Sequence, residues 1–131
     1  MPPKRSNTLT EAELRIMRIL WDRGESLVSD MVVALPKDTP LAYNSVLTTV
    51  RVLEQKGYVT HRQDGRAFLF RACVAENDAS RVEVRHVLNR FFGSSRAQLM
   101  LSLLGEGEIS VDELQSLKKA ISEAESAAGE D

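Results

Sequence analysis

The sequence has few of the features needed for disulfide bonding, membrane insertion or export. Its 131 residues include one cysteine, Cys73, so no disulfide can form within the chain. No apolar run approaches the roughly 18 residues of a membrane-spanning helix. No apolar segment follows the first residues, as it would in a signal peptide. We therefore expect a cytoplasmic protein.

Residues that carry chemistry are also scarce. The two histidines, His61 and His86, have no metal-ligand spacing with each other or with Cys73. Gly105 and Gly107 are not followed by the Lys-Ser/Thr pair of a phosphate-binding loop. We expect no metal, no cofactor and no enzymatic activity, and we interpret Cys73 as a small buried hydrophobic residue.

Charge is unevenly distributed along the chain. The formal net charge is −2, which by itself does not indicate a nucleic-acid-binding protein. However, residues 1–75 contain eleven Lys/Arg and eight Asp/Glu, whereas residues 76–131 contain six and eleven. This asymmetry favours a DNA-facing first part and an acidic second part. The hydrophobic content of 43% is sufficient for a folded core.

The first half of the chain reads as three helices. Thr10 and Glu13 form a capping-box pattern that predicts the start of the first helix, and Gly24 is expected to end it. A second helix stops at Pro36, and a third covers about residues 42–56. The first two helices are expected to bury apolar stripes made of Leu14, Ile16, Met17, Leu20 and Trp21, and of Val28, Met31, Val32 and Leu35.

A hairpin is predicted after the third helix. Two β-prone runs, residues 58–62 and 66–71, flank Gln63-Asp64-Gly65, and Asp-Gly is a common hairpin turn sequence. Three helices and a hairpin make a winged helix-turn-helix, in which the third helix enters the major groove. The hairpin is the wing, and Phe68 and Phe70 are expected to form its packing face.

The third helix has two different faces. At about 100° per residue, Tyr43, Val46, Val50 and Leu53 fall on one side, which we assign to the core. The opposite side carries amide, hydroxyl and guanidinium groups, which suit hydrogen bonding to base edges. The predicted DNA-binding residues are Asn44, Ser45, Thr48, Thr49, Arg51 and Gln55 of this helix, with Arg62 and Arg66 of the wing.

Other cations could extend this surface, and simpler interpretations stay open. Arginines of a hairpin can hold phosphates or enter a narrow minor groove. Alternatively, the arginines of the hairpin only protect an edge strand from aggregation. The polar face of the third helix could likewise be an ordinary solvent-exposed surface. The additional candidates for backbone contact are Lys4, Arg5, Lys56, His61 and Arg71.

The second half is predicted to be helical, over about residues 76–92, 95–104 and 110–122. These helices carry more apolar residues than they could bury among themselves, which favours a homodimer interface. Packing back onto the first half is the alternative. The candidate dimerisation residues are Val87, Phe91, Leu99, Met100, Leu103, Leu104, Leu114, Leu117 and Ile121.

These predictions give a fold that is mainly α with a small β-hairpin, namely a winged helix-turn-helix followed by a helical dimerisation region. The chain divides into a flexible basic arm (1–8), a winged-helix DNA-binding domain (9–74), a helical dimerisation domain (75–122) and a flexible acidic tail (123–131).

Several segments resemble one known family, the penicillinase repressors and methicillin-resistance repressors. The resemblance runs from about residue 8 to residue 122. The segments that carry it are residues 9–14, 19–21, 45–51, 53–59, 64–70 and 109–114, which read LTEAEL, ILW, SVLTTVR, LEQKGYV, DGRAFLF and ISVDEL.

This resemblance implies a homodimer whose winged helices each bind half of a palindromic operator and whose C-terminal helices dimerise. It implies repression of β-lactamase or related resistance genes, with no cofactor. In the best-known members a membrane-bound sensor protease responds to β-lactam, and the repressor is cut at an Asn-Phe pair in its dimerisation region. The matching position here is Ser102-Leu103, and the cysteine cluster of a copper-responsive branch is absent.

Three functions are therefore compared. The first is a bacterial DNA-binding transcriptional repressor that acts as a homodimer. The second is a winged-helix protein-interaction module that does not bind DNA. The third is a regulator with a small-molecule pocket between its DNA-binding and terminal helices. The inducing signal, and release by cleavage or by ligand, stay open.

Overall fold

The computed structural model describes residues 8–129. Within this range the chain forms two compact units, which divide between Val87 and Leu88 inside the fourth helix. The domain boundary was expected at residue 75, before this helix begins. The first part of the helix instead belongs to the N-terminal unit. The elements are α1 (Glu11–Arg23), α2 (Val28–Ala34), α3 (Tyr43–Lys56), β1 (Val59–Asp64), β2 (Ala67–Ala72), α4 (Glu76–Phe91), α5 (Arg96–Gly105) and α6 (Val111–Gly129).

The N-terminal unit has the predicted winged helix-turn-helix arrangement, with three helices followed by an antiparallel hairpin. Its core is formed by apolar side chains of α1–α3 and of the hairpin, together with Ala79 of α4. These buried residues are Ile16, Met17, Ile19, Leu20, Val28, Met31, Leu35, Val46, Val50, Leu53, Tyr58, Val59 and Phe70. The fold class is thus confirmed as mainly helical with one small hairpin.

Helix α1 begins at the predicted capping box. The Thr10 hydroxyl accepts a hydrogen bond from the Glu13 amide at 3.2 Å, and a Glu13 carboxylate oxygen accepts one from the Thr10 amide at 2.8 Å. The most buried stripe of α1 lies closer to Ile16 than to Trp21, which is only half-buried. Trp21 lies at the edge of the core because its indole N–H donates to the Val74 carbonyl at 2.9 Å.

The hairpin turn lies one residue later than predicted. Asp64 pairs with Ala67, so the turn is Gly65-Arg66 and β1 continues through Asp64. Gly65 has φ +63° at the first central position of the turn, where a two-residue hairpin loop requires glycine. Glycine, more than the Asp-Gly pair, therefore sets the register.

A third short strand segment joins the hairpin. Ser26 and Phe70 exchange two backbone hydrogen bonds of 2.9 Å each, so the segment between α1 and α2 lies beside β2. Buried Phe70 faces the core, whereas Phe68 is half-exposed towards the turn. The expected packing of both aromatic rings is therefore correct only for Phe70, because the core does not extend as far as the hairpin tip.

Two further burial predictions were wrong. Tyr43 was assigned to the core, but it is the first residue of α3 and is 52% exposed, since it lies one turn before Val46 and beyond the edge of the core. Cys73 was expected to be buried, but it is exposed just after β2, with its thiol donating to the Gly57 carbonyl at 3.2 Å.

The C-terminal unit contains the end of α4 with α5 and α6. The Ser95 hydroxyl accepts a hydrogen bond from the amide of Gln98 at the start of α5. Helix α6 continues to Gly129, so residues 123–129 are helical where a flexible tail was expected. Alanine and glutamate dominate this stretch, and both favour helix. Residues 1–7 of the expected arm and residues 130–131 lie outside the described residues.

Candidate nucleic-acid interface

Helix α3 separates core residues from solvent-facing polar residues. Val46, Val50 and Leu53 are completely buried on one side. The predicted DNA-binding residues occupy the other side, and all except the half-buried Thr49 are exposed. These exposed residues are Asn44, Ser45, Thr48, Arg51 and Gln55. The helix is thus fixed by its apolar side and presents its polar side to a partner.

Two hydroxyl groups on this polar side are held by the helix itself. Thr48 donates to the Asn44 carbonyl at 2.9 Å, and Thr49 donates to the Ser45 carbonyl at 2.8 Å. These bonds fix the direction of each methyl group and leave each oxygen free to accept. Among residues 8–129, the side chains of Asn44, Arg51 and Gln55 make no hydrogen bond or ion pair, so their groups are available to a ligand.

Arg62 of the wing is held by a carboxylate. Its Nε and Nη2 donate to the two oxygens of Glu25 at 2.7 Å each. The hydrogen bond from Arg62 is the main reason that the pKa of Glu25 lies below its ordinary value. Arg62 was predicted to contact phosphate. In this structure Glu25 occupies the edge of its guanidinium that carries Nε and Nη2. Arg66, in the turn, is exposed and makes no ion pair with any described residue.

His61 joins the wing to the end of α3. Its Nδ1 lies 2.5 Å from an oxygen of Glu54, and its ring lies 5.2 Å from that of Phe68 and 5.3 Å from that of Phe70, between centroids. These contacts hold the inward face of β1 against α3. His61 therefore positions the wing against α3 in this structure. Its predicted contact with the DNA backbone would be a second role.

Lys56 was expected to extend the DNA-binding surface, and this expectation was wrong. Its side chain is 9% exposed and its Nζ lies 2.8 Å from Glu13 and 3.0 Å from the Thr8 carbonyl. Burial raises the pKa of Glu13, but the hydrogen bonds from Lys56 and Thr10 outweigh it and hold that pKa below the ordinary value. Lys56 is thus part of the internal packing of the N-terminal unit.

The sequence analysis missed Glu25 and Glu13 as partners of these cations. Glu25 lies 37 residues from Arg62, and Glu13 lies 43 residues from Lys56. No local pattern connects residues so far apart, because the contacts depend on how the hairpin and α3 return to α1. A capping role for Glu13 was the only local signal.

Most of the predicted dimerisation residues lie in α5 and α6, where they form an apolar surface. Neither α5 nor α6 has a buried residue, and a groove of about 580 Å³ lies between them. Its lining includes Met100, Leu103, Leu104, Leu114, Leu117 and Ile121. Phe91 and Val87 of α4 are also exposed, and Leu99 is half-buried. Ser102 and Leu103, the candidate cleavage position, are exposed within α5.

Other kinds of site are not found in the part of the chain that the structure describes. No three histidine, cysteine or acidic side chains come together there in a group that could hold a metal ion. No helix there has the length and apolar character needed to cross a membrane.

Comparison with known proteins gives a consistent family. Residues 9–123 match the model of the penicillinase repressor family. The chain is 24% identical over 120 residues to the penicillinase repressor of Bacillus licheniformis, covering 92% of this chain and 94% of that protein. It is 19% identical over 113 residues to the methicillin resistance regulatory protein MecI of Staphylococcus aureus (strain N315), covering 86% and 92%.

Among solved structures, the DNA-binding domain of the repressor BlaI is 24% identical, with a TM-score of 0.49 over 57% of this chain and 92% of that one. Monomeric BlaI of Bacillus licheniformis in complex with the blaP half-operator is 23% identical, with a TM-score of 0.47 over 56% and 90%. The family match covers both compact units, from the start of α1 into α6. The chain therefore belongs to the penicillinase repressor family, a family of transcriptional repressors.

Proposed function

We propose that this protein represses transcription by binding a palindromic operator as a homodimer, with α3 of each protomer in the major groove. The observation that carries the proposal is the pair of faces of α3, where a completely buried apolar side lies opposite an exposed polar side. A bound repressor of this kind would act in the cytoplasm and block polymerase by covering the promoter.

The exposed side chains of α3 suit direct reading of bases. Asn44 and Gln55 can each make two hydrogen bonds with adenine, and Arg51 can do so with guanine. Thr48 presents a methyl group to thymine because its hydroxyl is turned towards the Asn44 carbonyl. Ser45 and Thr49 complete the predicted contact set of α3, and Arg66 at the wing tip suits a phosphate.

The apolar surface of the C-terminal unit supports homodimerisation. Most large apolar residues of α5 and α6 are exposed to solvent, and contiguous exposed apolar surfaces commonly mark interaction sites. A second copy would cover it with the same surface, as two-fold symmetry requires. Joining two DNA-binding units makes the second half-site contact intramolecular, so the dimer binds far more tightly than one unit.

Relatives suggest the genes and the release mechanism. Their names concern penicillinase and methicillin resistance, so we propose β-lactamase-type or related operons as targets. Cleavage by a membrane sensor protease at Ser102-Leu103 would divide α5 and destroy the proposed dimer surface. The bond is exposed but helical, so α5 would have to unwind locally before cleavage.

A gel-shift titration tests the proposal. Purified full-length protein would be titrated on the DNA upstream of its own gene and on random DNA of equal length, at several salt concentrations. We expect a discrete complex on the upstream DNA and a footprint with two half-sites. Absence of salt-dependent binding to either DNA would contradict the proposal and favour a protein-interaction module.

A further inference from the structure

Glu25 lies close to two arginines on the outward face of the β-sheet. Ser26 pairs with Phe70, whose side chain is buried. Because side chains alternate along a strand, Glu25 and its neighbour across the ladder, Arg71, lie on the opposite face. Arg62 lies there too, since it follows the residue of β1 that pairs with Phe70. The three charges therefore share one solvent-facing surface of the wing.

The contact between Glu25 and Arg62 has favourable geometry. Both carboxylate oxygens accept at 2.7 Å, in the two-point arrangement that gives arginine–carboxylate pairs their specificity. The Arg62 side chain remains 56% exposed, so it stays within reach of a ligand. The pKa of Glu25 is lowered by the hydrogen bond from Arg62 and further by the charge of Arg71, so the carboxylate is ionised at neutral pH.

This carboxylate changes the charge balance of the outward face. Arg62 and Arg71 are balanced there by Glu25 and by Asp64, which shares the face through the same alternation. The face is thus close to neutral, although it contains two arginines. Without Glu25 it would carry one net positive charge and a free guanidinium edge.

We propose that Glu25 is a specificity-determining residue, which holds and neutralises Arg62 so that the wing does not bind DNA phosphates irrespective of sequence. Sequence-independent affinity grows with the number of phosphates neutralised by lysine and arginine. Selectivity depends on the ratio of operator binding to such non-specific binding. Because Glu25 keeps Arg62 from binding phosphates, α3 supplies a larger share of the free energy of DNA binding. This inference rests on the proposed DNA-binding function.

The test replaces the charge with minimal change in shape. Glu25→Gln keeps the side-chain size and one acceptor oxygen but removes the negative charge. Fluorescence anisotropy on a labelled random duplex, from 50 to 200 mM salt, measures affinity and its salt dependence for the full-length protein. We expect random-DNA affinity to rise about threefold at the lowest salt and the slope of log K against log salt to steepen by about 0.9, the value for one extra phosphate.

Two controls separate a local from a general effect. Asp22→Asn removes an exposed acidic charge three residues earlier, at a position with no ion pair in the described structure, and should leave the slope unchanged. Adding Arg62→Gln to Glu25→Gln should abolish the gain, because the freed guanidinium is then absent.

Several results would overturn the inference. An unchanged slope or weaker binding in Glu25→Gln would make Glu25 a support for the wing, and an equal gain in Asp22→Asn would assign the effect to net charge. Wild-type protein that binds neither random nor upstream DNA would overturn the proposed function as well. That outcome is recognised from the wild-type titration alone, before any variant is compared.

Discussion

At the residue scale, the buried pair of Lys56 and Glu13 shows how one contact connects α3, α1 and the segment before α1. Both side chains are less than 10% exposed, and Lys56 also donates to the Thr8 carbonyl. Removing one partner of a buried pair leaves an uncompensated charge. We expect Lys56→Met to lower the free energy of unfolding by about 3 kcal/mol at neutral pH, measured by urea denaturation.

The same pair should make stability depend on pH. The pKa of Glu13 is lowered in the folded state, so its stabilising contribution is present above the unfolded value of 4.5 and is lost as pH falls through the folded pKa. In Lys56→Met only burial and the bonds to Thr10 act on Glu13. The difference in stability from wild type should therefore shrink as the pH falls below 4.5 and through the lowered folded pKa of Glu13. Exposed Lys37→Met is the matched control, and an equal loss there would contradict the assignment.

Arg51 is the residue whose role in DNA recognition can be tested most directly. It is exposed on the polar side of α3 and makes no hydrogen bond or ion pair with other described residues. Arg51→Ala should weaken operator binding by roughly 1–3 kcal/mol and relax the preference for one base pair. An equal loss on random DNA would assign Arg51 to a phosphate. Arg18→Ala, on the exposed side of α1, serves as the control.

At the element scale, the connection between α3 and the wing depends on Gly57. It ends α3 in the left-handed region, with φ +88° and ψ 10°, and no atom would contact an added Cβ within 4 Å. Its cost on substitution is therefore purely conformational. Gly57→Ala should lower the free energy of unfolding by about 1 kcal/mol.

A matched glycine gives the opposite expectation. Gly105 is the last residue of α5, has ordinary backbone angles and also leaves open space for a Cβ. Gly105→Ala should therefore raise helix stability, by about 0.5–1 kcal/mol, in thermal unfolding followed by circular dichroism. Equal destabilisation by both substitutions would show that the left-handed conformation of Gly57 is not the cause of its loss of stability.

The helices and strands were more predictable from the sequence than the limits of the core and the contacts between distant elements. Periodicity located the helices of both units, and the capping box at Thr10 located the start of α1, because those signals are local. The exposure of Tyr43 was not predictable, because α3 continues one turn beyond the core and helical periodicity contains no information about where the core ends. The acidic partners of Arg62 and Lys56 were missed because they come from elements distant in the sequence. Residues 123–129 were predicted to be a flexible tail, although they are helical, because alanine and glutamate also occur in disordered tails.

At the scale of the whole molecule, the exposed apolar surface of α5 and α6 predicts the oligomeric state. Leu117 and Ile121 are about half exposed and line the groove between these helices. Placing charges there by Leu117→Glu with Ile121→Glu should convert a dimer to a monomer, because burying an unpaired carboxylate is costly. Light scattering after size-exclusion chromatography measures this change.

The control for this variant is Val33→Glu in the N-terminal unit, at the most exposed large apolar residue. It places one carboxylate at an exposed apolar position outside α5 and α6, and should leave the mass of the dimer unchanged. The double variant should lose tight binding to the complete operator and retain weak binding to a half-site. A dimeric double variant would place the self-association surface elsewhere, and a monomeric wild type would exclude the homodimer.

The exposed thiol of Cys73 has a practical consequence for spectroscopy. It is the single cysteine of the chain, and it donates to the carbonyl of Gly57, the residue that ends α3. A maleimide dye attached there would label each protomer once, beside the helix that we propose to enter DNA, with no engineered cysteine. Its anisotropy and energy transfer between identical dyes would then report, from one sample, both pairing of protomers and their arrival on DNA.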